Sequence, residues 1–452
     1  MNYTLKALFT VLFATITIAG ISQEINYTTP KDQSGINKFE TGKFDTVPYD
    51  GLKVKVGGAF TQQYQGLNHS NTATPVWDSV GLTHYNLNDL YHLSPGFNLA
   101  TANLLIDVQL EDGIRLALEG YMSSRHHSEF WVKGGYIQVD KLPMFGNPEW
   151  FSKYVTLKVG HFGINYGDQQ FRRSDNGFTL HNPFVGNLIL DAFATEIGAE
   201  IYVYPSDGFF VMAGLTSGLL NGDVHEALGP DNKVIRKNPS ILAKAGIDKQ
   251  VTDDLRLRLT ASLYTNPGTT RNTLYAGDRS GSRYYLVAEP EGSIANGAFV
   301  TTAAGTNFTS GRINPNFSHK VTSVMINPFV KYAGLEFFGT LEFASGVEGA
   351  SRLNPNPATR DFTQLEGELI YRFLPREQLY VGGRLNTVKG RLQGFTNDIT
   401  VNRAALALGW FATKNILMKL EYVNQKYKDF MPTDYRNGLE FDGVMVEAAV
   451  AF

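Results

Sequence analysis

Apolar and polar residues alternate one for one through much of this chain. Ala100, Ala102, Leu104, Ile106, Val108 and Leu110 share one face of a segment whose other face carries Thr101, Asn103, Asp107 and Gln109. After Glu111-Asp112-Gly113 the pattern resumes, with Ile114, Leu116, Leu118 and Met122 opposed to Arg115, Glu119, Tyr121 and Ser123. Asp-Gly between two alternating runs is a strong hairpin signal, because the tight turn needs positive φ. Further on, Leu255, Leu257, Leu259, Ala261 and Leu263 oppose Arg256, Arg258, Thr260, Ser262 and Tyr264. Leu335, Phe337, Leu341 and Phe343 oppose Glu336, Thr340 and Glu342, and Ile416, Met418, Leu420 and Tyr422 oppose Lys419, Glu421 and Gln425. A period of two predicts strands, and no helical period fits these segments.

Such segments recur near residues 52–65, 98–110, 114–123, 130–140, 155–163, 195–204, 209–217, 240–248, 255–264, 321–332, 335–344, 362–373, 379–388, 400–411, 416–427 and 439–452. Their connections alternate in length. Glu111–Gly113, Pro205–Gly208, Lys249–Asp254, Ala333–Gly334, Leu374–Gln378 and Ala412–Asn415 are short, with a longer exception at Leu142–Tyr154. Residues 66–97, 164–194, 218–239, 265–320, 345–361, 389–399 and 428–438 make the long ones. Short turns at one end and long loops at the other predict an all-β fold, a transmembrane antiparallel β-barrel of about sixteen strands with periplasmic turns and extracellular loops. Aromatics cluster at the short-turn ends, with Tyr202, Tyr204, Phe209 and Phe210 around one turn, Tyr371, Phe373 and Tyr380 around another, and Trp410 and Phe411 before a third. They are expected to form the periplasmic aromatic girdle of such a barrel.

The two ends of the chain fit a bacterial outer membrane. The terminal run D-G-V-M-V-E-A-A-V-A-F places Val444, Val446, Ala448 and Val450 on one face and stops on Phe452. It resembles the closing strand of bacterial outer-membrane barrels. Residues 1–22 read as a signal peptide: Lys6 supplies the positive region, Ala7 to Ile18 an apolar run, and Gly20 and Ser22 the small residues before cleavage. That run is shorter than the roughly 20 apolar residues a spanning helix needs. Residues 23–50 are polar without alternation and are expected as a periplasmic N-terminal extension or plug, with the barrel occupying 51–452. The chain holds no cysteine, which excludes a disulfide scaffold. A net charge of −3 argues against a nucleic-acid partner.

Candidate chemistry concentrates between Gly160 and Asn187, which reads GHFGINYGDQQFRRSDNGFTLHNPFVGN. Adjacent Arg172 and Arg173 are flanked by Asp168 and Asp175, among Gly, Asn and Pro residues suited to compact turns. The segment Gly160–Gly167 resembles the Gly-x-Phe-x-x-x-x-Gly signature of the phosphate-selective porin O/P family, with Asn165 where that family carries proline. RRSDNG and NPFVGN resemble segments of porin-like proteins from the Bacteroidetes group. With the strand pattern and the terminal Phe452, the resemblance spans nearly all of residues 51–452. It implies that the loop folds into the lumen and narrows it, placing Arg172, Arg173, Asp168 and Asp175 at a pore constriction. A guanidinium there offers a planar fork to phosphate or carboxylate. A salt bridge from the arginines to Asp168 or Asp175, holding the loop folded, is the other role open to them.

Strand parity turns Arg115, Lys158, Lys244, Arg256, Arg258, Arg384 and Lys419 toward the lumen. The acids Glu119, Glu196, Glu200, Glu336, Glu342, Glu366, Glu368, Glu421 and Glu447 face the same way, so the wall is mixed in charge. The expected function is a porin for passive diffusion of small hydrophilic solutes with a preference for phosphate-like anions. The alternative is a structural or accessory barrel in a larger outer-membrane complex, with the loop from Thr265 to Lys320 as a docking surface. Expected partners are those solutes, outer-membrane lipid and lipopolysaccharide, and either two further copies in a homotrimer or the subunits of such an assembly. Neither enzymatic activity nor a cofactor or metal is expected. Adjacent His126 and His127 would point to opposite faces of a strand, and no Ser/His/Asp spacing specifies a site.

Overall fold

Sixteen antiparallel strands close into a barrel. The computed structural model describes residues 24–43, 47–123, 130–174, 178–218, 224, 227–229, 232–276, 281–303, 305, 307–352 and 354–452. Residues 1–22, read above as a signal peptide, and His126, His127 and Asp175 lie outside them. The barrel strands are β1 (Lys53–Ser70), β4 (Gly96–Glu111), β5 (Ile114–Ser123), β6 (Phe130–Val139), β7 (Val155–Gly163), β8 (Thr195–Ser206), β9 (Phe209–Thr216), β10 (Ser240–Gln250) and β11 (Leu255–Asn266). They continue as β14 (Lys320–Tyr332), β15 (Leu335–Val347), β16 (Arg360–Phe373), β17 (Leu379–Gly390), β18 (Ile399–Thr413), β19 (Ile416–Lys428) and β20 (Glu440–Ala451). Each pairs with its sequence neighbour in the barrel, and β1 closes the ring against β20. Two hairpins stand in the long loops, β2 (Trp77–Val80) with β3 (Thr83–Asn86), and β12 (Gly292–Ala295) with β13 (Ala298–Thr301). The longer turn at 142–154 contains one short helix, α1 (Glu149–Tyr154).

Closure gives every barrel strand a hydrogen-bonded neighbour on both sides, which satisfies backbone polar groups without water. At the seam Gln63 faces Glu447 in register, and the Phe452 and Gly58 backbones exchange N–H···O bonds of 3.0 and 3.1 Å. The β4–β5 turn needs a residue with positive φ, and Gly113 supplies it at 73°.

The alternation sorts sides as expected. Leu385 is 69% exposed on the outer face while its neighbour Arg384 is buried inside. Leu257, Leu341 and Leu420 likewise face outward, and Arg258, Glu342 and Lys419 inward. An apolar belt of this size around a closed barrel is the surface that lipid covers. The girdle is split, however. Phe209, Tyr371, Phe373 and Trp410 lie on the outer face, whereas Tyr202, Phe210, Tyr380 and Phe411 are buried inward. Adjacent strand residues must point to opposite sides, so part of each cluster belongs to the lumen.

β6 departs from simple parity. Glu119 pairs with Gly134 and Gly120 with Val132, which leaves Lys133 as an extra residue in a β-bulge. Val132 stays outward and exposed while Lys133 turns inward and is buried.

Candidate functional site

The lumen is filled by three chain segments. The first is the connection 164–194, whose neck is closed by the Ile164 N–H donating to the Ala194 carbonyl at 3.1 Å. Phe184, Val185, Ile189 and Leu190 are fully buried. Wall side chains replace the missing ladder partners of this irregular backbone. Glu421 accepts from the Val185 and Gly186 amides at 2.8 and 3.2 Å, Asn386 from Ile189 at 2.9 Å, and Gln364 from Leu190 at 3.0 Å. Arg384 donates to the Gly186 carbonyl at 2.9 Å, and Lys419 to that of Thr179 at the same distance.

The anticipated constriction residues are dispersed within this filling. Arg172 and Arg173 are each 1% exposed. Arg172 lies 3.5 Å from Glu368 and 4.0 Å from Glu336, with its guanidinium over the Phe338 ring. Arg173 pairs with Asp191 at 3.0 Å and covers the Phe193 ring. Asp168 pairs with neither. It accepts from Arg258 Nε and Nη2 at 2.8 Å each and from Thr260 at 2.9 Å, and it lies 2.7 Å from Lys244. Burial alone would raise the Asp168 carboxyl's pKa, but Arg258 and Lys244 hold it well below the usual carboxylate range. The reason is reach: Asp168 sits against β10 and β11, Arg172 extends toward β15 and β16, and Arg173 stays within its own loop.

The second filling comes from the loop 267–319. Arg283 donates to Thr61 at 2.7 Å, Thr101 at 3.1 Å and Glu447 at 2.6 Å, directly behind the β1–β20 seam. Tyr284 donates to Glu421, and Tyr275 to Glu342. The described inner part of this loop is therefore packed core, not the docking surface that the alternative scaffold reading assigns to it.

The third segment is the N-terminal one. Instead of extending away from the barrel, residues 30–43 run across the periplasmic mouth as a strap. The Gln33 N–H donates to the Lys414 carbonyl at 2.8 Å, on the β18–β19 turn. Asn37 donates to Glu336 at 2.7 Å and accepts from Arg172. Phe39 packs edge-on to Phe329 and Phe171, beneath the Arg258 guanidinium. Glu40 lies 2.7 Å from Arg258 and 2.8 Å from Lys244, and Lys43 reaches Asp140 on the far side. Burial pushes the Glu40 carboxyl up, but Arg258 and Lys244 outweigh it and hold the pKa below the ordinary value. Burial and nearby Lys31 push His181 down to about 3, so its imidazole is neutral. Because a carbonyl only accepts, His181 Nε2 must carry the hydrogen in its 3.1 Å contact with the Asp32 oxygen.

Space remains along the wall β4–β8. An inner cavity of about 190 Å³ is bordered by Lys31, Glu40, Asp107, Arg115, Glu119, Lys133 and Lys158 among its charged residues. A mouth cavity of about 950 Å³ is bordered by Lys38, Lys43, Lys55, Lys153, Arg256 and Arg258 with the acids Glu24, Glu40, Asp207 and Asp248. Thr28, Thr29, Phe39, Glu40, Thr41 and Tyr204 line both, so the two adjoin at the strap. Four of the cations read from parity therefore border the passage: Arg115, Lys158, Arg256 and Arg258. Arg384 and Lys419 instead hold the inward loop. Lys31 and Lys133 were missed, the first because the strap has no alternation and the second because of the bulge. Arg115 is engaged by Asp107 and donates to Gln138 at 2.8 Å, and Lys158 lies 3.6 Å from Glu200 and over the Phe162 ring.

No family model matches the chain, and no curated protein matches it. Among solved structures, the outer membrane channel DcaP of Acinetobacter baumannii aligns with a TM-score of 0.52 at 9% identity, over 89% of this chain and 98% of that one. An anion-selective porin from Comamonas acidovorans aligns with a TM-score of 0.51 at 10% identity, over 89% and 100%. At such identities the likeness is one of fold. Together with the closed sixteen-stranded ring and its apolar outer belt, it defines a porin-like β-barrel of the bacterial outer membrane.

Proposed function

We propose that the barrel is a channel for passive diffusion of small hydrophilic solutes, with a preference for anions bearing phosphate or carboxylate groups. The observation that supports this reading is the charged passage along β4–β8. Its inner cavity is bordered by Lys31, Arg115, Lys133 and Lys158 against Glu40, Asp107 and Glu119. Glu40 is neutralised by Lys244 and Arg258, so the balance along the path is positive. Fixed cations in a narrow lumen raise the local concentration of anions, and low-dielectric walls strengthen the effect. Arg172, Arg173 and Asp168 act on permeation through the loop they anchor. A phosphate-like preference fits the resemblance of Gly160–Gly167 noted above, and the anion selectivity named for the Comamonas porin accords with it.

Swelling of vesicles containing the purified protein tests this directly. Small sugars and small carboxylates should enter, the carboxylates faster than neutral solutes of equal size. Vesicles that exclude all of them would leave the barrel a scaffold.

A further inference from the structure

We propose that the N-terminal strap, residues 30–41, is the movable wall of the passage, so that its release from the mouth widens the bore and raises the size cutoff. This rests on the channel reading above. The strap and the inward loop are anchored differently. The inward loop borders the inner cavity through Asn165, Gln170, Phe171 and Phe178, but it is sewn to β15–β19 through Glu421, Asn386, Gln364, Arg384 and Lys419. The strap borders the same cavity through Lys31, Phe39, Glu40 and Thr41, opposite wall residues such as Arg115 and Glu119.

The strap is also held in a way that lets it shift without stranding charge. The charged barrel groups it touches inside the mouth keep other partners. Lys244 retains Asp168 at 2.7 Å and Asn165 at 2.8 Å. Arg258 retains Asp168 and Asp248, and Arg256 retains Asp248 through two bonds of 2.7 Å. Glu336 retains Arg372 at 2.9 Å, and Asp140 retains Thr156 and Gln138. Breaking a buried ion pair is costly chiefly when one charge is left unpaired, and here it is not. On the strap's side Glu40 and Asn37 return to water, Phe39 leaves Phe329 and Phe171, and Lys31 leaves the Phe178 ring. The barrel therefore does not depend on the strap for its charge balance, whereas the passage depends on it for its width.

The test keeps the full chain. Asn37→Ala, Phe39→Ala and Glu40→Gln combined remove the anchors in the lumen, and Glu40→Gln alone serves should the triple variant fail to fold. Two readouts are taken. Single-channel conductance should rise by about two-fold or more, with larger sugars admitted in vesicle swelling, because conductance follows pore width. Separately, Ala117→Cys places a single thiol on the inner cavity of a chain that has no cysteine. Its labelling by a bulky maleimide should accelerate by about ten-fold in the released strap, as access rather than chemistry limits it. A conducting wild type whose conductance, cutoff and labelling rate are all unchanged in the variant overturns the strap as the wall and leaves the channel standing. Labelling that accelerates while neither protein conducts upholds the strap and removes the channel.

Discussion

Asp168 of the inward loop and Arg258 of β11 meet through two hydrogen bonds of 2.8 Å, from Nε and Nη2 to the two carboxylate oxygens. The pair is fully buried, and Lys244 and Glu40 complete it as a four-membered ionic knot joining wall, loop and strap. Two acids and two cations share the site, so losing one acid leaves the other to serve both cations.

Asp168→Asn is therefore expected to destabilise modestly, while Asp168→Asn with Glu40→Gln should cost about 3–5 kcal/mol, more than the sum of the singles, because Lys244 is then stranded. A double-mutant cycle from urea unfolding in lipid vesicles measures the coupling; strict additivity would contradict the knot.

Leu385, halfway along β17, faces lipid, and a charge there is exposed to hydrocarbon. Leu385→Arg should cost about 2–4 kcal/mol, and Leu385→Phe should be nearly neutral. The same unfolding assay decides it.

Glu447 on β20 accepts from Gln63 across the seam at 2.7 Å and from Arg283 at 2.6 Å, and it pairs with Lys419 at 2.8 Å. Glu447→Ala leaves two buried cations short of a partner and should cost about 3–5 kcal/mol, with Glu447→Gln costing less. Loss of the heat-resistant folded band on gels should appear at a lower temperature in the alanine variant.

The sequence showed the wall more fully than its contents. Sixteen strands, their register and the lumen side of Arg115, Arg258, Arg384 and Lys419 all follow from a period of two, because a one-residue slip would put each of them in lipid. The filling has no period to read. Glu40 and Lys31 sit in a polar stretch that could equally have hung in the periplasm, and nothing local shows that Asp168 meets Arg258, 90 residues later, and not Arg172. Lys133 was hidden by a single bulge residue, which reverses the rule that placed the other cations. The aromatic pairs Phe209–Phe210 and Trp410–Phe411 show the same limit: composition places them at the turn, while parity sends one of each inward.

Burial, only partly offset by Glu119 and Asp107, pushes Lys31 down to about 8, with Arg115 and Lys158 pushing the same way. A lowered lysine is charged below that pH and neutral above it. Anion preference should be steady from mildly acidic to neutral pH and decline as pH rises through about 8. Lys31→Met should abolish this decline, which reversal potentials across a pH series would reveal.

The most direct test of the account is the reversal potential of single channels in a planar bilayer under a salt gradient. The wild-type barrel should conduct with a potential on the anion side, and Lys133→Glu with Lys158→Glu should move it toward cations further than Arg172→Ala with Arg173→Ala. A silent barrel, or a potential that the two passage lysines leave unmoved, would contradict an anion path along β4–β8.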